Sequence, residues 1–322
     1  MYCTALSARV ETLSDLNVAS MADPPRKRAK IQDEQVQLHN GVSMPTFGLG
    51  TYKMKGAEAQ RAVSTALCLG YRLVDTASAY ENERAVAAAV AASGVPRDQI
   101  FITTKVKRTQ HGYERTKAEV HSSLVRLRLR YIDMVLIHWP GRKEWGTRLP
   151  ADFTPAMRDE TWRALEELHD GGHIRAIGVA NYSIRHLEML MRTCRVKPMV
   201  NQIEFHPWLL QAALLEYCQK HNIVVQAYGS LGTGDAAMAP QFFELAPVAS
   251  AARAHDVTPA QVLLRWALQK GVTVIPKSVS EKRQLENAQL DFELTDTEML
   301  AIDDQHRGKR LAWRGKDPDT VL

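Results

Sequence analysis

Eight short apolar runs, each about the length of a β-strand, alternate with segments of helical periodicity along this chain: 47–51, 73–77, 100–106, 132–139, 174–181, 199–205, 223–229 and 272–278. Strand and helix signals in strict alternation imply parallel strands joined by helical crossovers. Eight such units close most simply into a (β/α)8 barrel, and an open dinucleotide-binding sheet is disfavoured because no Gly-x-Gly-x-x-Gly turn follows the first run. The helical segments carry their own stops and starts. Residues 58–70 end on Gly70, residues 82–94 are rich in alanine and end on Gly94, and Thr258-Pro259 supplies an N-cap and a first helical residue.

At 322 residues the chain exceeds the usual single domain, but a barrel of this kind runs to about 250 residues or more as one unit. Residues 36–322 are therefore read as one barrel and residues 1–35 as a flexible extension, which has no sustained apolar period and contains Pro24-Pro25. Val36 to Met44 alternates around Asn40-Gly41, a strong hairpin signal, so a small β-hairpin leads into the barrel. Within the extension, Met21 is an alternative start, and the stretch from Arg26 to Lys30 has the composition of a nuclear-import signal or of a solvated linker.

The formal charge is +5, and the first 35 residues balance five basic against five acidic side chains, so the excess belongs to the folded part. That mild balance suits an anionic small molecule and does not call for nucleic acid. Cys3, Cys68, Cys194 and Cys218 are widely spaced with no metal-ligand spacing, so reduced thiols and no metal are expected. No apolar run approaches the roughly 20 residues of a membrane span, and the N-terminus lacks the order of a secretory signal. A cytoplasmic monomer is the expectation.

Three of the runs end in or lead to ionisable side chains: Asp75 and Tyr80 at or after the second, Lys105 in the third, His138 in the fourth. In a barrel those ends share one rim, where barrel enzymes assemble their chemistry. A phenol is a weak acid at neutral pH, but an ammonium at about 4 Å and an effective dielectric near 20 favours its phenolate by up to about 4 kcal/mol. Lys105 is thus expected to tune Tyr80, Asp75 to hold Lys105, and His138 to orient a carbonyl oxygen toward the Tyr80 hydroxyl. Each residue alone is as well explained by architecture; their common rim favours catalysis.

Gly70-Tyr-Arg-Leu-Val-Asp75-Thr-Ala-Ser-Ala-Tyr80-Glu-Asn-Glu83, Leu136-Ile-His138-Trp-Pro140 and Ile275-Pro-Lys277-Ser278 resemble the signatures of the aldo-keto reductase family from about residue 36 to the C-terminus. The resemblance implies a catalytic tetrad of Asp75, Tyr80, Lys105 and His138, with Tyr80 as general acid in the reduction of an aldehyde or ketone by NADPH. It implies cofactor contacts at Thr51, Asn181, Gln202, Tyr228, Ser230, Leu231, Lys277, Ser278, Val279, Arg283, Glu286 and Asn287. Among these, Asn181 and Gln202 would bind the carboxamide, Tyr228 would stack on the nicotinamide, Lys277, Ser278 and Arg283 would take the 2′-phosphate, and Glu286 and Asn287 would lie near the adenine. A dianionic phosphate suits an ammonium, a hydroxyl and a guanidinium fork, although 277–287 in isolation reads equally as a polar turn.

Substrate walls are expected from Tyr52, Trp139 and His138, with Trp313 as a further one. The chain departs from the family pattern at Ala180, where serine is usual, and in the glycine-rich loop 229–235. The short basic C-terminal segment points to small or flexible carbonyl substrates rather than sterols. Thr320-Val-Leu322 also matches a minimal C-terminal ligand for β-augmentation domains. A cofactor-binding sensor module with slow turnover on the same fold is the alternative, and a metal-dependent barrel hydrolase has no clustered ligands to support it.

Overall fold

A computed structural model describes residues 34–141, 156–232 and 239–320. The basic stretch, Met21, part of the loop 229–235 and the last two residues lie outside the described residues. Strands β1 (Gln35–Gln37) and β2 (Ser43–Pro45) pair antiparallel, and Gly41 takes the positive φ of 84° that their turn needs. The folded part thus includes Gln35, one residue before the expected boundary.

Eight parallel strands follow: β3 (Leu49–Gly50), β4 (Leu73–Asp75), β5 (Phe101–Val106), β6 (Ile132–Ile137), β7 (Ile174–Ala180), β8 (Val200–Glu204), β9 (Val224–Tyr228) and β10 (Thr273–Val274), hydrogen-bonded in sequence order. The ring closes between its first and last members. Val274 N–H donates to Thr46 O at 2.8 Å, Gly48 N–H to Val274 O at 2.9 Å and Gly50 N–H to Pro276 O at 3.3 Å. A Cβ on Gly50 would meet Ile275 O at 2.7 Å, so the seam requires glycine there.

Every residue of β5 and β6 is buried, as strands covered on both faces must be. The helices supply the outer cover. The helix Gly56–Cys68 ends with Gly70 at φ 96°, and the helix Pro259–Gln269 starts with Thr258 Oγ1 accepting from Gln261 N–H. Cys194 and Cys218 are free, and Cys3 lies outside the described residues.

The hairpin plugs the end of the barrel where the strands begin. Leu38 and Met44 are buried, and Asn40 Nδ2 donates to Arg175 O at 2.9 Å, at the start of β7. At the same end the fully buried Asp133 accepts from Arg97 Nη2 at 2.6 Å, Arg175 Nη1 at 2.9 Å and Ile102 N–H at 2.9 Å, tying β5, β6 and β7. Asp133→Ala would leave a buried N–H and two guanidinium groups without their acceptor. A loss of about 2–4 kcal/mol in urea unfolding is expected, with Asp133→Asn falling between. The opposite rim is left as the open mouth.

Candidate active site

Asp75 closes β4, Lys105 lies near the end of β5, His138 follows β6, Asn181 follows β7, Gln202 lies in β8 and Tyr228 closes β9. Parallel strands place all six on one rim. Tyr80 arrives differently, on the 3-10 turn Ser78–Tyr80 after β4. That turn is held by Ser78 Oγ donating to Lys105 O at 3.0 Å. It is followed by Asn82, buried, whose Nδ2 donates to Thr51 O and Met54 O, both at 3.0 Å.

The structure brings the four candidate catalytic residues together. Lys105 Nζ donates to Asp75 Oδ1 at 2.6 Å and to Thr76 O at 2.9 Å, and lies 3.5 Å from the Tyr80 hydroxyl. The Tyr80 and His138 rings meet edge to face with centroids 5.7 Å apart. Asp75 Oδ2 accepts from Gln202 Nε2 at 2.7 Å, and the same nitrogen donates to Gln226 Oε1 at 2.8 Å. Both N–H groups of Gln202 are therefore spent within the protein, which leaves its carbonyl oxygen as the group it can offer a ligand.

Asn181 is the complement. Its Oδ1 accepts from the Tyr228 hydroxyl at 2.6 Å and its Nδ2 donates to His138 O at 2.9 Å, so one amide N–H remains for a ligand. The residue holds a left-handed backbone, φ 61°, which turns the chain off the end of β7.

Electrostatically the site differs from the sequence expectation in one respect. Burial, more than any charge, sets the Tyr80 hydroxyl, raising it well above 10, and the Asp75 carboxylate raises it further. The residue is only half-buried because part of its ring meets the cavity, but the hydroxyl is desolvated. Lys105, which shares its charge with Asp75 at 2.6 Å, does not reverse that rise. Burial likewise lowers Lys105 and raises Asp75, and with the Lys105 and Arg108 charges it pushes His138 well below 6.5. Tyr80 therefore keeps its proton, and His138 is a neutral imidazole.

A cavity of about 1020 Å³ opens over these groups and runs along the rim. Besides Asp75, Tyr80 and His138 it is lined by Tyr52, Asn181, Gln202, Tyr228, Ser230 and Leu231, and farther out by Lys277, Ser278, Val279, Arg283, Glu286 and Asn287. Three expected residues do not line it. Lys105 lies behind Tyr80, and Thr51 is fully buried with its hydroxyl donating to Asp75 O at 2.9 Å. Trp139 is buried behind Trp313, ring centroids 5.2 Å apart. Trp313 itself faces the cavity opposite Tyr52, at 5.8 Å.

Among the described residues, three features of this cavity lack partners. Ser230 Oγ is buried and makes no hydrogen bond. Among the described residues no carboxylate pairs with Lys277 or Arg283, although both flank the start of the helix Glu281–Ala288. Unpaired donors and cations at a helix start constitute a receptor for anionic oxygen. Sequence reasoning missed Gln226 and Glu204, because buried polar residues within strands carry no periodic signal, and Asn82, which precedes the helix Glu83–Ala92; all three hold other site residues in place.

Fold and site together define the class: a closed (β/α)8 barrel whose mouth sets a buried, proton-bearing phenol beside an ion pair and leads to an anion-receiving rim. The chain belongs to the aldo/keto reductase family, whose model matches residues 44–306. It is 44% identical to the glyoxal reductase of Bacillus subtilis (strain 168) over 291 residues, 90% of this chain and 98% of that one. It is 43% identical to the 9,11-endoperoxide prostaglandin H2 reductase of Trypanosoma cruzi (strain CL Brener), over 89% of this chain and 95% of that one. The Bombyx mori aldo-keto reductase in complex with NADP superimposes with a TM-score of 0.79 at 31% identity, over 87% of this chain and 95% of that one.

Proposed function

We propose that this protein reduces small aldehydes or ketones to alcohols with NADPH, Tyr80 protonating the oxygen. The observation that carries the reading is the neutral, desolvated Tyr80 hydroxyl, 3.5 Å from Lys105 Nζ, at the floor of a cavity long enough to lead from that hydroxyl to two unpaired cations.

The residues fit the cofactor. Asn181 has one N–H left and Gln202 one carbonyl oxygen, which together match the acceptor and donor of a carboxamide. Ser230 Oγ offers a buried hydroxyl partway along the cavity, and Lys277, Ser278 and Arg283 offer an ammonium, a hydroxyl and a guanidinium at its outer end, suited to a phosphate. The nicotinamide supplies a hydride when bound. The NADP-bound silkworm relative supports the same choice of cofactor.

Within the chain, neutral His138 and the Tyr80 hydroxyl are placed to hold a carbonyl oxygen between them. As charge develops on that oxygen, Tyr80 donates its proton and the Lys105 ammonium steadies the phenolate left behind, held in place by Asp75. Tyr52 and Trp313 supply the apolar walls. Ala180, which carries no hydroxyl, leaves the carboxamide to Asn181 and Gln202.

Steady-state oxidation of NADPH with a panel of short aldehydes tests the reading; binding of NADPH without turnover would favour a sensor role instead. The pH profile adds a separate check. Tyr80 is raised above its ordinary value and His138 lowered below its own, so both hold one protonation state between. Reductase activity is therefore lost when pH rises past the lowered Lys105 ammonium or the raised phenol, or falls past the lowered imidazole. A flat kcat/KM from about pH 6.5 to about pH 9 is expected. A break near neutrality would mean that Lys105, not burial, governs the phenol.

A further inference from the structure

We infer that Glu204 is a positioning residue that sets the shape of the substrate subsite by holding Trp313 in place, an inference that rests on the function proposed above. Glu204 is the last residue of β8, two positions after Gln202, and is buried. Its Oε1 accepts from Leu311 N–H at 2.6 Å, Ala312 N–H at 2.8 Å and His206 Nε2 at 3.0 Å. Two of those donors are consecutive backbone amides of the C-terminal segment, and the next residue is Trp313.

Trp313 has a left-handed backbone, φ 54°, which a bulky residue keeps only where its surroundings leave it no alternative. Its ring meets Trp139 at 5.2 Å, Tyr52 at 5.8 Å and His138 at 6.0 Å, so it touches the oxygen-holding imidazole as well as the apolar wall. Before the turn, Arg307 N–H and Lys309 N–H donate to Trp208 O; after it, Asp319 accepts from Ser183 Oγ. Both contacts lie at the flanks of the segment. The pair of bonds to Glu204 holds the two residues before Trp313, whose own side chain is hydrogen-bonded to Tyr228.

Charge-assisted bonds from two adjacent amides to one buried oxygen fix a turn in both position and direction. Truncation of the carboxylate leaves those amides without an acceptor, and the segment then trades the strained turn for a looser one. Of the expected cofactor contacts, those on β7, β8 and the helix Glu281–Ala288 do not pass through this turn and Tyr228 meets it through its hydroxyl, so the larger effect falls on the substrate.

Glu204→Ala is expected to raise KM for benzaldehyde about tenfold, with kcat and the Kd for NADPH within about twofold of the parent. Glu204→Gln, which keeps an acceptor oxygen, should hold KM within about threefold. In a Trp313→Ala background, adding Glu204→Ala should change KM by less than about twofold, because residues acting through one contact do not add. Effects that multiply, or a change in kcat or NADPH affinity with KM unmoved, would overturn the inference. A second measurement needs no catalysis: trypsin should cleave after Lys309 or Arg310 faster in Glu204→Ala than in Glu204→Gln, both melting as folded proteins. Equal cleavage would count against the pin, whereas faster cleavage in a protein that reduces no aldehyde would keep the pin and reject the proposed activity.

Discussion

Replacement of Tyr80 by phenylalanine is expected to lower kcat for aldehyde reduction by about 10²- to 10⁴-fold, the range that a positioned general acid contributes. NADPH affinity should stay within about twofold, since the change removes one oxygen and leaves the ring against Tyr52 and His138. The size of the effect follows from desolvation. The mouth offers few proton sources besides Tyr80: Lys105 is already bonded to Asp75 and Thr76, and His138 is neutral. Lys105→Met should approach the same loss, because the phenolate left by proton transfer would then face Asp75 with no cation beside it. A Tyr80→Phe rate within threefold of the parent would reject the proton-donor assignment.

Removal of the two unpaired cations has the second largest expected effect, and it falls on cofactor choice. Arg283→Ala is expected to weaken NADPH binding about tenfold, and Lys277→Ala with Arg283→Ala about 100-fold, with NADH affinity changed by less than about threefold. Both side chains are exposed, which keeps each contribution at the lower end for a charge-assisted contact and makes the discrimination salt-sensitive. Cofactor fluorescence titrations at two salt concentrations check both points. Equal losses for NADPH and NADH would mean that the pair serves the common part of the dinucleotide rather than the 2′-phosphate.

Barrel architecture was largely legible in the sequence. All eight runs became strands, Gly70 and Gly94 follow their helices with positive φ, and Thr258-Pro259 opens its helix as read. The runs at the seam were read too long: 47–51 and 272–278 each yield only two strand residues. Pro276 has no N–H to donate, so β10 cannot continue, and the remaining residues of that run form part of the cavity wall instead. Family membership was legible too, because the motifs lie in short contiguous stretches.

The site was legible as a set of residue types on strand ends but not as an electrostatic state. Asp133, Gln226 and Glu204 resemble stray polar residues within apolar runs, and only their partners at distances of 24 to 108 residues along the chain explain them. Trp139 is the converse case: it sits beside His138 in sequence, yet Trp313 covers it.

Hydrophobic period and turn chemistry are local properties, so the sequence by itself determined the number and order of strands and helices, and with them the rim on which Asp75, Tyr80, Lys105 and His138 must lie. The protonation of Tyr80 was decided only by the tertiary structure. Desolvation depends on every group packed around the hydroxyl, and the pairing of Lys105 depends on a carboxylate from another strand, so neither could be read from residues in order.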